Sequence, residues 1–157
     1  MPIDTLELRP IMLIEDEHTD SILIARAFEK AGVQNPIQHV SNGDDALARL
    51  EGVGQYVDRT QYPLPAFILL DLKLPGMHGL ALLRWIRSKK ELRLIPVVVL
   101  TNSADAADVK SAYEAGANSY LLKPTNREEI DRVIEVVQHY WLEQNVAPPL
   151  VLRASSS

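Results

Sequence analysis

Phe67-Ile68-Leu69-Leu70-Asp71-Leu72-Lys73-Leu74-Pro75-Gly76 decides the fold. Four apolar residues in a row, without alternation, describe a strand buried on both faces, which is the habit of a central strand in a parallel sheet. The run stops on an acid, Asp71, and Pro75-Gly76 turns the chain a few residues later. The same grammar recurs in both directions. Upstream, Ile11-Met12-Leu13-Ile14 ends abruptly in Glu15-Asp16-Glu17. Downstream, Pro96-Val97-Val98-Val99-Leu100 ends at Thr101, and Tyr120-Leu121-Leu122 ends at Lys123-Pro124. Ile37 to Val40 is half polar, as an edge strand should be.

Helical patterns fill the intervals. They run from Asp20 to Ala31, Asp44 to Leu50, Leu80 to Ser88, about Ala104 to Ala115 and Glu128 to about Glu143, with Gly32 and Gly116 as stops. Gly52 to Pro65 is a long polar connection. Five strands alternating with five helices imply an α/β fold with a parallel sheet covered by helices on both faces. The fold expected is doubly wound and five-stranded, with flavodoxin-like order 2-1-3-4-5. The expected division is an N-terminal extension over 1–9, one domain over 10–144 and a tail over 145–157.

Composition narrows the function. The net charge of -5 argues against direct nucleic-acid binding, which needs clustered basic residues. There are no cysteines, which removes disulfides, thiol catalysis and thioether-linked chromophores. Met1 to Pro10 has no signal-peptide pattern, and no apolar run is long enough to span a membrane, so a cytoplasmic protein is expected.

In a sheet of this kind functional groups gather where the strands end. The residues there are Glu15, Asp16, Asp71, Thr101 and Lys123. Any one of them could simply be polar because it meets solvent; together they make a compatible set. Carboxylates 4 Å apart repel by about 4 kcal/mol per pair at an effective dielectric near 20, so a divalent cation and an ammonium are the natural counter-charges. Oxygen donors without neighbouring histidine or cysteine favour Mg2+ over zinc. Asp71 is the best-placed nucleophile, since a carboxylate can attack phosphorus to form an acyl phosphate. The four histidines, His18, His39, His78 and His139, share no ligand spacing and read as surface groups.

The four strand-end segments, in this order and spacing, resemble the receiver domain of two-component response regulators from about Ile11 to Leu142. The resemblance implies that Asp71 is the phosphoacceptor and that Asp16 and Asp71 ligate Mg2+. Glu15 would stand where the first acid of the pair belongs, and the backbone carbonyl of Lys73 would be a further ligand. It also implies that Thr101 and Lys123 bind the phosphoryl group, that Tyr120 moves with signalling state, and that Lys123–Pro124 is cis. Glu15 departs from the usual aspartate, leaving open whether it meets the metal directly or through water. The loop ending Gly54-Gln55-Tyr56, the stretch Leu92 to Asn102, Glu114 to Tyr120 and the terminal His139-Tyr140-Trp141-Leu142 are similar to the small regulators paired with phytochrome-type histidine kinases. That resemblance implies a kinase of this type as partner.

Two other phosphate chemistries fit less well. A flavin-binding flavodoxin needs a Ser/Thr/Gly-rich loop after the first strand, where this chain has Glu15-Asp16-Glu17. A haloacid-dehalogenase phosphatase needs an acid two residues after its nucleophile, where this chain has Lys73. On the last helix Ile130, Val133, Ile134, Val137 and Trp141 form one stripe, which Val136 and Tyr140 widen beyond what one sheet face requires. A homodimer with Tyr140 and Trp141 near its centre is therefore expected, with Pro148 to Leu152 apolar enough to dock and the final serines disordered. After Leu142 too few residues remain for an output module, so signalling through protein contacts or phosphoryl relay is expected.

Overall fold

A computed structural model describes residues 9–149. The elements are β1 (Ile11–Ile14), α1 (His18–Lys30), β2 (Ile37–Val40), α2 (Gly43–Glu51), β3 (Phe67–Leu70), α3 (Gly79–Ser88), β4 (Val97–Thr101), α4 (Ala106–Ala115), β5 (Ser119–Leu122) and α5 (Arg127–Gln138). All strand pairs are parallel, as the alternation predicts, and the order is β2-β1-β3-β4-β5, that of the expected flavodoxin-like sheet. The expected extension through residue 8 and the tail from Leu150 onward, with the proposed docking of Leu150 to Leu152, lie outside the described residues.

The period of two in a strand sends neighbouring side chains to opposite faces, and the two cores follow it. Met12, Ile14, Ile68, Leu70, Val97 and Val99 pack under Ala46 and Leu50 of α2, Leu82, Leu83 and Ile86 of α3, and Ala112 of α4. Ile11, Leu13, Phe67, Leu69, Val98 and Leu100 pack under Ile24, Ala27 and Phe28 of α1 and Ile130, Ile134 and Val137 of α5. β3 is fully buried and β2 only partly, which matches their unbroken and half-polar sequences.

Helix ends follow local chemistry. Asn42, Asp105 and Asn126 accept hydrogen bonds from the first-turn amides of α2, α4 and α5, and His78 caps α3 through the Leu80 N–H. α1 begins two residues earlier than the apolar period suggests. The last helix departs more: regular α geometry stops at Gln138, and His139–Gln144 form a wider π turn closed by the Asn145 N–H on the Tyr140 carbonyl. Within it Trp141 folds back, half-buried, onto the α1/α5 core, and Tyr140 meets it edge-on at 4.8 Å. The long connection after α2 carries one turn of 3-10 helix at Gly54–Tyr56. Tyr56 is buried there, donating to Asp45 Oδ1 at 2.7 Å.

Candidate functional site

Three strand-like hydrogen bonds extend the ladders one residue beyond the strands and set the site. Glu15 N–H donates to Val40 O, Asp71 N–H to Ile14 O, and Lys123 N–H to Thr101 O at 2.7 Å. This register brings the ends of β1, β3, β4 and β5 side by side. The close approach of α3 seals the floor behind Asp71: a Cβ on Gly79 would lie 2.7 Å from Leu72 Cα and 2.8 Å from the Asp71 carbonyl oxygen.

Asp71 is buried, and both of its oxygens are occupied. Oδ1 accepts from the Lys73 N–H at 3.0 Å and from Thr101 Oγ1 at 3.2 Å, while Oδ2 accepts from Lys123 Nζ at 3.0 Å. Glu15 is 1% exposed; its Oε2 accepts from Lys123 Nζ at 2.7 Å and its Oε1 from the Glu17 N–H at 3.0 Å. Asp16 is exposed at the rim. Carboxylate oxygens of Glu15, Asp16 and Asp71 all lie within 4.8 Å of one another.

The electrostatics are those of a site with too much negative charge. Burial, reinforced by the charge of Asp71, outweighs the Lys123 hydrogen bond and raises the Glu15 carboxyl to about 7. Lys123 shifts upward: burial would lower it, but the hydrogen bond to Glu15 and the charges of Asp71 and Glu15 prevail. Three clustered carboxylates, offering oxygen alone, fit a hard divalent cation, so the cluster is an acidic site of the kind that holds such a metal.

The structure thus brings together Glu15, Asp16, Asp71, Thr101 and Lys123. Tyr120 is half-buried at the next strand, and its hydroxyl donates to the Ser103 carbonyl at 2.7 Å. Tyr140 and Trp141 sit apart from the site, beyond α5. One expectation is corrected: no peptide bond among the described residues is cis, so Lys123–Pro124 is trans, the form X-Pro bonds intrinsically favour by about 0.5–1 kcal/mol. The sequence reading also missed two participants. Asp20, in the first turn of α1, places Oδ2 3.1 Å from Lys123 Nζ. His39, read as a plain surface group, lies with Nε2 2.7 Å from the Glu15 carbonyl oxygen. An acid at a helix start and a histidine in an edge strand carry no signal of such contacts.

Comparison with known proteins agrees with this geometry. Residues 11–135 match the response regulator receiver domain family. The chain is 40% identical over 141 residues to the probable methanogenesis regulatory protein FilR2 of Methanothrix harundinacea, covering 88% of this chain and 86% of that one. It is 34% identical over 138 residues to the response regulator Rcp1 of Synechocystis sp., covering 88% and 92%; the Mn2+-bound form of response regulator Rcp1 superposes at a TM-score of 0.82, 33% identical, over 90% of this chain and 99% of that one. The phosphorylated cyanobacterial phytochrome response regulator RcpA superposes at 0.85, 32% identical, again over 90% and 99%. No helix among the described residues is long and apolar enough to cross a membrane. A buried carboxylate held between a lysine and a threonine, beside an acidic metal-binding cluster, is equipment for receiving a phosphoryl group rather than for turning over a substrate. The chain belongs to the response regulator receiver domain family, the phosphoacceptors that work with a cognate histidine kinase in two-component phosphorelays.

Proposed function

We propose that Asp71 is the phosphoacceptor, that Asp16 and Asp71 hold Mg2+ with help from Glu15 and the Lys73 carbonyl, and that the donor is a phytochrome-type histidine kinase. The observation that carries this reading is the triple engagement of the Asp71 carboxylate by Lys73 N–H, Thr101 and Lys123 at the edge of the acidic cluster. When bound, Mg2+ supplies the positive charge that lets a phosphoryl group approach three carboxylates. The Lys73 amide holds Oδ1 in place. Lys123 pairs with the phosphoryl oxygens once they arrive. Thr101 turns its hydroxyl from Asp71 to the new acceptor, and Tyr120 answers by shifting between two populations, for which differential contacts of a few kcal/mol suffice.

Similarity to the phytochrome response regulator RcpA and to Rcp1 supports the kinase class. The similarity to FilR2, a probable methanogenesis regulatory protein, favours a second reading, a histidine kinase of another class. Phosphotransfer from candidate kinases separates the two. A homodimer is supported by apolar exposure along the α4–β5–α5 edge, at Tyr113, Leu122, Val136 and Tyr140, with Trp141 backing Tyr140. The working unit on this reading is the receiver domain over 10–144, flanked by 1–9 and 145–157 and acting in the cytoplasm, where a histidine kinase draws its ATP. Acetyl phosphate with Mg2+ followed by intact mass tests the acceptor: labelling should vanish in Asp71→Asn, and full labelling of that variant would move the site. Sedimentation tests the dimer, which Tyr140→Ala with Trp141→Ala should weaken.

A further inference from the structure

Asp20 lies outside the three-carboxylate cluster yet sits on the same ammonium. An ammonium has three N–H donors. Here they go to Glu15 at 2.7 Å, Asp71 at 3.0 Å and Asp20 at 3.1 Å. The three acceptors differ in what it takes to release them. Glu15 and Asp71 are buried, so losing the ammonium would strand a charge away from water. The Asp20 side chain is 28% exposed, and water can replace the ammonium there. Nor is Asp20 needed to place Lys123, whose side chain is 3% exposed and already clasped by the two buried carboxylates. An acid in the first turn of a helix is commonplace and stabilises the helix dipole; the ion pair to a buried lysine is what sets this one apart.

We infer that Asp20 restrains phosphoryl transfer, by occupying a Lys123 N–H that the incoming phosphoryl group can take over and by adding a fourth negative charge at the mouth of the site. This rests on the reading of Asp71 as phosphoacceptor. In the transfer an Asp71 carboxylate oxygen forms a bond to phosphorus while the bond from phosphorus to the donor's leaving atom breaks, an imidazole nitrogen in a phosphohistidine and a carboxylate oxygen in acetyl phosphate. With acetyl phosphate, acetate departs with that electron pair and no proton needs to move. A single negative charge on Asp71 gives way to a dianionic phosphoryl group, so the demand on Lys123 rises. The bond to buried Glu15 cannot supply that demand, whereas the bond to Asp20 can. Three carboxylates, Glu15, Asp20 and Asp71, contact this one ammonium, and a fourth, Asp16, lies beside Glu15 and Asp71. A divalent cation would leave the ionised group one unit negative, and neutralising Asp20 removes that unit.

The test follows phosphorylation of the full chain by acetyl phosphate with Mg2+, read by intact mass and peptide mapping, for the unaltered protein, Asp20→Asn and Asp20→Glu at low and high salt. Asp20→Asn should raise the second-order rate constant about fivefold at low ionic strength, as expected for removing one nearby like charge. The gain should shrink towards unity near ~0.5 M salt. Asp20→Glu should stay within about twofold of the unaltered protein, since the charge is kept. A role in helix stability alone would lower the melting temperature and leave the salt dependence unmoved. Asp20→Asn reacting no faster, or gaining a rate that salt does not reduce, overturns the inference while leaving Asp71 as acceptor. Failure of the unaltered protein to label on Asp71 overturns the functional reading and this inference with it.

Discussion

Replacing Glu15 by glutamine removes a charge from the pocket while keeping its size: the amide oxygen can still accept from Lys123 Nζ, although the acceptor for the Glu17 N–H is lost. The unaltered carboxyl rises from 4.5 to about 7 in the folded protein, with burial as the chief cause. A raised carboxyl means the folded state holds its proton more tightly than the unfolded chain. The associated stability is fully present below pH 4.5 and drains away as pH rises through 7. At 1.36 kcal/mol per unit the gap amounts to roughly 3 kcal/mol, a ceiling because Glu15 and Lys123 share their interaction. Glutamine is neutral throughout and imitates the protonated form. Without metal, Glu15→Gln should therefore be more stable than the unaltered protein by about 1–3 kcal/mol at pH 8.5, the advantage falling below about 1 kcal/mol at pH 5. Urea unfolding in chelator, at a series of pH values between these limits, measures it. A variant no more stable at pH 8.5, or a gap constant across the range, would refute the claim that this carboxylate is held ionised against its burial.

Asp16→Asn should forfeit metal-linked stability: saturating Mg2+ at about 100 times its dissociation constant should stabilise the unaltered protein by ~2.7 kcal/mol in unfolding experiments, and the variant by much less. Arg87→Met should cost about 2–4 kcal/mol in urea unfolding, since Arg87 donates to Gly116 O, Arg93 O, Ile95 O and Asn118 Oδ1, all within 2.9 Å. That cluster lies at the far end of β4 from Asp71, so labelling by acetyl phosphate should change by less than about twofold. Gly79→Ala should cost about 1–3 kcal/mol by overpacking against the Asp71–Leu72 backbone, and should slow labelling as well because it displaces the loop that aims Asp71.

Much of this molecule is local and therefore legible in the chain. Unbroken apolar runs at 67–70 and 97–100 have to be buried on both faces, and the acid, hydroxyl or amine closing each strand has to stand at the sheet's end. Those two facts carry the parallel sheet and the five principal site residues. Tertiary structure decides what depends on distance rather than neighbourhood. Lys123 meets Glu15 across 108 positions and Asp20 across 103, and only one of those carboxylates stands at a strand end where it could be anticipated. Asp20 reads as an ordinary first-turn acid until α1 is laid against the end of β5. The amphipathic stripe of α5 says that a face is covered but not how far the helix stays regular. The π turn after Gln138 brings Trp141 back onto the core and leaves Tyr140 half exposed. Apolar periodicity encodes burial by one face of one element; the pairing of single charges and the docking of single rings arise where several elements meet, and no segment carries that information by itself.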